Sequence, residues 1–174
     1  VAYFTSGTDL SSPSATLSDG GLSNITTLTS NRFYSGTLFG SGELFAWSAT
    51  GDGAAGTAQV SVSLGLASSG DVVTFDVIQL SNNSTSAPTG STGVNSGTTA
   101  SVTSTLASAP ASGDGSIVFV GAMAASTFLT TSGTSLDTNL HFGVFLVDPS
   151  AQTESYSYTA AENWGTIGVE LTHG

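Results

Sequence analysis

The chain has 174 residues, with twelve acidic side chains against a single cation, Arg32, and a formal charge of −11. Only 7% of its residues are charged, against roughly 25% in a typical soluble domain. That balance argues against nucleic-acid binding, which needs clustered Lys and Arg to neutralise phosphates, and against anionic lipid surfaces for the same reason.

The length fits one domain, residues 1–174. There is no Cys, so no disulfide and no thiolate metal site. Ser and Thr take the place of the usual charged surface, and 22 Gly supply turns. Such a composition could signal disorder, but 39% hydrophobic residues and a mean hydropathy of +0.22 argue for a packed core. No run approaches the roughly 20 apolar residues of a membrane-spanning helix. A chain that starts at Val1 fits either a cleaved leader or a removed initiator Met. Export or a place on a virion surface is the corresponding expectation.

Along the chain the period is two, the signature of strands. Val1–Thr5, Leu22–Thr29 and Glu43–Ala49 read as strands. Val60, Val62, Leu64 and Leu66 alternate with Ser61, Ser63 and Gly65, a half-buried strand. Val72–Leu80 carries apolar residues on both faces for part of its length, as a central strand does. Residues 82–97, rich in Ser, Thr, Asn and Gly, read as a long exposed loop. Thr98–Leu106, Ile117–Val120, Phe142–Val147, Thr153–Thr159 and Trp164–Leu171 complete the strands. Punctuators such as Ser18-Asp19-Gly20-Gly21 and Ser112-Gly113-Asp114-Gly115 supply residues that tolerate tight reversals. No amphipathic helix stands out. The expected fold is therefore all-β, an antiparallel, jelly-roll-like β-sandwich of two packed sheets. Its expected core is Val60, Val62, Leu64, Phe75, Val77, Phe119, Val144, Leu146, Ile167, Val169 and Leu171.

Several segments carry a family likeness: Ser18-Asp19-Gly20-Gly21-Leu22, Gly42-Glu43-Leu44-Phe45-Ala46-Trp47, Val60-Ser61-Val62-Ser63-Leu64 and Trp164-Gly165-Thr166-Ile167-Gly168-Val169-Glu170-Leu171. Together they resemble the jelly-roll domains of bacterial surface proteins and phage structural proteins. The resemblance implies a structural or adhesive role with no shared catalytic residues. Such domains usually carry a strand before the one that Val1-Ala2-Tyr3-Phe4 resembles. The expectation is an open edge near Val1–Phe4, covered by a strand from another subunit. The alternative is that Val1–Thr5 is itself the first strand.

Enzyme chemistry finds little support. A hydrolytic triad needs a His base, and only His141 and His173 exist. Asp71 and Asp76 are an odd number apart along a strand and so face opposite ways. Glu162 and Glu170 read as solvated. Of the metals, calcium suits the hard oxygen ligands of Asp52, Asp114, Asp137 and Asp148, all placed in loops. No Asp-x-Asp-x-Asp series accompanies them, so no cofactor is expected unless separate loops assemble a calcium site. Asn24, Asn82 and Asn83 sit in glycosylation sequons, which matter only in a glycosylating host.

Aromatics offer two readings. Tyr156 and Tyr158 share a strand face and could stack on a glycan. Phe33-Tyr34, read as a loop beside Arg32, has the character of an interface hot spot. The second is preferred, and Val1, Tyr3, Phe4, Arg32, Phe33 and Tyr34 are the expected interface residues. The function expected is a structural subunit of a repetitive surface assembly, a virion surface or decoration protein or an extracellular filament subunit, partnered by copies of itself or by other subunits of the same assembly. A secreted carbohydrate-binding or adhesive module is the alternative.

Overall fold

The computed structural model describes residues 2–5, 14–18, 22–36, 40–51, 59–63, 72–79, 89–123, 127–139 and 141–172. Fourteen strands occur among them and no helix. In chain order they are β1 (Ala2–Thr5), β2 (Ser14–Ser18), β3 (Leu22–Gly36), β4 (Gly40–Gly51), β5 (Gln59–Ser63), β6 (Val72–Phe75) and β7 (Thr89–Gly97). There follow β8 (Ser101–Thr105), β9 (Gly115–Ala122), β10 (Phe128–Thr130), β11 (Thr134–Thr138), β12 (Phe142–Val147), β13 (Thr153–Tyr158) and β14 (Trp164–Leu171).

Every strand pairing is antiparallel. A five-stranded sheet, ordered β11-β12-β9-β14-β7, forms the middle of the molecule. A four-stranded sheet, β3-β4-β1-β6, packs on one face of it, and a three-stranded sheet, β10-β13-β8, on the other. β2 and β5 form a separate pair.

The central sheet is hydrophobic on both faces, and this explains its sequence. In β9, Ile117 and Phe119 point towards the four-stranded sheet, where they meet Leu44 and Ala46 of β4 and Phe33 of β3. Their neighbours Val118, Val120 and Ala122 point the other way, into a second core with Val102 of β8 and Tyr156 and Tyr158 of β13. β12 divides likewise, with Phe142 and Val144 in the first core and Phe145 in the second. A strand covered on both sides needs a near-continuous apolar run, which is what Ile117–Val120 and Phe142–Val147 supply. In β14, Ile167, Val169 and Leu171 fill the first core while Trp164 fills the second.

Two packed sheets were expected, but three layers are present. Polar ties hold the third. Trp164 Nε1 donates to Thr99 O at 3.0 Å, and Thr166 Oγ1 donates to Thr103 O at 3.2 Å. Asn31 Nδ2 bridges the other interface, donating to Asn95 O at 2.8 Å and Thr166 O at 2.9 Å.

Three readings of the sequence change. Residues 89–97 of the expected loop are strand β7, paired along β14; residues 82–88 lie outside the described residues. Val77, expected in the core, is 95% exposed, because β6 ends at Phe75 and the alternation stops there. Ile78 packs against the first core in its place. Glu162 and Glu170 are buried rather than solvated. Of the expected core, Phe119, Val144, Ile167, Val169 and Leu171 are buried and Leu146 is half-buried against them. Leu64 and the side chains of Val60, Val62 and Phe75 lie outside the described residues.

Candidate functional site

The two expected interface side chains that the structure describes, Arg32 and Phe33, do not share a surface. Phe33 lies in β3, not in a loop, and its ring is buried in the first core. Arg32 precedes it on the strand, so its side chain takes the opposite face, where it is exposed. Arg32 stands across from Glu43 in the β3–β4 register. Glu43 is buried, and burial pushes its carboxyl up to about 7 although the nearby Arg32 charge pulls the other way. Val1 and the side chains of Tyr3, Phe4 and Tyr34 lie outside the described residues.

The open edge expected near Val1–Phe4 is not there. Residues Ala2–Thr5 pair with β4 on one side and β6 on the other. Both rows of β1 backbone groups are used within the chain, so a donated strand has no place beside it.

The tyrosines of the glycan reading are also internal. Tyr156 and Tyr158 are each 2% exposed in the second core, too deep to stack on a sugar. Burial and the neighbouring Glu154 and Glu162 charges, respectively, raise their hydroxyls well above the ordinary tyrosine range.

Glu170, Glu154 and His141 bond within the framework. Glu170 accepts from the backbone N–H groups of Ser91, at 2.6 Å, and Ala111, at 3.1 Å. It thereby ties the start of β7 and the loop after β8 to the last strand. Glu154 accepts from Ala151 N at 2.8 Å. His141 Nδ1 lies 3.3 Å from Ala122 O, and its backbone N–H donates to Asn139 Oδ1. Of the calcium candidates, Asp137 lies in β11 rather than a loop, Asp114 is buried beside a turn, and Asp148 is exposed after β12. Among the described residues, no group of three or more His, Cys, Asp and Glu side chains could hold a metal ion. Asp52, Asp71, Asn82, Asn83 and His173 lie outside the described residues.

One corner of the molecule combines features that single residues did not announce. Asp76, just past β6, is hydrogen-bonded to Asp137 of β11, which joins the four-stranded sheet to the rim of the central one. Burial, then the Asp137 hydrogen bond and charge, pushes the Asp76 carboxyl up to about 6. Val77 follows Asp76 and Leu136 precedes Asp137, and these two are among the most exposed large apolar side chains, at 95% and 43%. β11 itself pairs only with β12 among the described residues, and all its side chains are exposed. The sequence pointed to three residues of this corner separately, Asp137 as a calcium candidate, Asp76 as a carboxylate facing away from Asp71 and Val77 as core, and not to their meeting.

Comparison with protein-family models, curated proteins and solved structures found no match.

Proposed function

We propose that this chain is a structural subunit of a repetitive surface assembly, either a virion surface or decoration protein or an extracellular filament subunit, whose partners are copies of itself. The observation that carries this reading is where the ionisable groups go. Glu43, Glu154, Glu162 and Glu170 are buried, with Glu154 and Glu170 bound to backbone, while the exposed strand β11 carries hydroxyls, one Leu and one Asp. A hydroxyl-rich surface of low charge can be packed against copies of itself without desolvating many ions. Three stacked sheets with two apolar cores add a packed scaffold for repeated contacts.

The jelly-roll assignment belongs to the same proposal. It is supported by the antiparallel layers and by the resemblance of the Gly42–Trp47 and Trp164–Leu171 segments to such domains. So does the extracellular or virion-surface location. The carbohydrate-binding alternative is weakened, since Tyr156 and Tyr158 are core residues.

Negative-stain microscopy with sedimentation velocity across a concentration series tests the reading. Repetitive particles or filaments support it. A monodisperse monomer retained on a polysaccharide column would replace it with the glycan-binding alternative.

A further inference from the structure

The outer edge of β11 faces no other strand among the described residues, at the rim of the sheet that organises both cores. Natural edges of this kind are blunted with Lys, Pro, inward charge or a covering segment. β11 reads Thr134-Ser135-Leu136-Asp137-Thr138, with neither Lys nor Pro. Its protection is a bulge: Ser135 faces Phe145 and Asp137 faces Val144, leaving Leu136 as the extra residue.

We propose that β11 is a self-pairing edge, at which two copies of this chain join antiparallel about Leu136 and continue the central sheet from one subunit into the next. The proposal rests on the assembly reading above and names the surface that would carry it.

The strand is close to a chemical palindrome. Antiparallel pairing about Leu136 places Thr134 opposite Thr138 of the second copy, a favourable cross-strand pair. Ser135 falls opposite Asp137 of the second copy, so a hydroxyl donor meets a carboxylate acceptor. The two Asp137 side chains are never directly opposed, which avoids the like-charge contact that would forbid pairing in so acidic a chain. Leu136 meets Leu136 at the twofold axis, covering an apolar side chain that is otherwise 43% exposed.

The bulge also fits. A bulged, twisted edge suits few partner strands, but a twofold contact brings the same irregularity to the axis from both sides. The Asp76–Asp137 hydrogen bond braces each edge against the four-stranded sheet of its own subunit. Val77, beside that bond, lies on the same corner as the edge.

The chain has no Cys, so one introduced thiol reports a single contact. Leu136→Cys should oxidise to a disulfide-linked dimer at least about tenfold faster than Ala161→Cys, an exposed control, because a paired edge holds its thiols at high effective concentration. Opposed Cα atoms in an antiparallel pair fall within the span a disulfide bridges. Leu136→Lys, placing two cations on the axis, should abolish dimers in sedimentation velocity while retaining the β-sheet circular dichroism of the parent. If the unmodified chain assembles but Leu136→Cys cross-links no faster than the control and Leu136→Lys assembles normally, the edge proposal is overturned and the assembly reading survives. If the unmodified chain is monomeric at every concentration, both fail.

Discussion

The ring of Phe33 lies on the backbone of Gly165: a β-carbon built at Gly165 would sit 2.5 Å from Phe33 Cβ, Cγ and Cδ1. A strand of the four-stranded sheet and the last strand of the central sheet thus approach as closely as a missing side chain allows. Gly165→Ala should destabilise the fold by about 1–3 kcal/mol through overpacking. Phe33→Ala should cost about 3–5 kcal/mol, the range for a buried aromatic. Urea unfolding measures both. A loss under about 1 kcal/mol for Phe33→Ala would return that ring to the surface.

Glu43 gives the chain a pH dependence with a definite sign. Its folded carboxyl titrates at about 7, above the ordinary 4.5, so the folded state holds a proton that the unfolded state releases. Stability is therefore greatest below the ordinary value and falls as pH rises through about 7. Asp76 contributes in the same direction, between 3.8 and about 6. Glu43→Gln should flatten the difference in unfolding free energy between pH 5 and pH 8 by roughly 1 kcal/mol, solvent screening trimming the full effect of the shift. A parent protein that gains stability over that interval would contradict the burial of both acids.

The hydroxyls of Tyr156 and Tyr158 are buried without a hydrogen-bond partner among the described residues. Removing an unsatisfied polar atom relieves its desolvation cost. Tyr156→Phe and Tyr158→Phe should each be neutral or stabilising by up to about 1–2 kcal/mol in the same unfolding assay. A marked loss of stability in either variant would mean that its hydroxyl has a partner.

Glu170 presents the opposite case, since both of its carboxylate oxygens accept backbone N–H groups. Glu170→Ala should cost about 2–4 kcal/mol by stranding two donors beside a lost charge-assisted pair. Hydrogen exchange at the Ser91 and Ala111 amides should rise more than at Phe119, which sits in a central strand. Equal exchange at all three would show that the carboxylate holds nothing.

The strands that were legible in sequence are those whose faces are dictated by burial. Ile117–Val120 and Phe142–Val147 stand out because both their faces are covered, and Ile167, Val169 and Leu171 because one stripe meets the first core. β7 was not legible. Its Thr, Ser, Gly and Asn residues carry no apolar period, and it is a strand because β14 offers a ladder to pair with. β11 escaped for the same reason, with every side chain exposed.

The third layer was hidden by an assumption about faces. Tyr156 and Tyr158 were correctly placed on one side of their strand, but nothing local says whether such a side meets sugar, solvent or another sheet. Phe33 reads from sequence as a loop residue, whereas alternation in β3 sends Arg32 and Phe33 to opposite faces and Phe33 into the core. The Asp76–Asp137 contact joins residues far apart in sequence, and only the stacking of the sheets brings them together.

Sedimentation velocity of the unmodified protein over a wide concentration range tests whether this chain builds an assembly from copies of itself. Species larger than the 17.2 kDa chain that grow with concentration are expected. Growth should be greater in moderate salt than in its absence, because salt screens the repulsion between subunits of charge −11. A single boundary at the monomer mass, unchanged by concentration and salt, would contradict it.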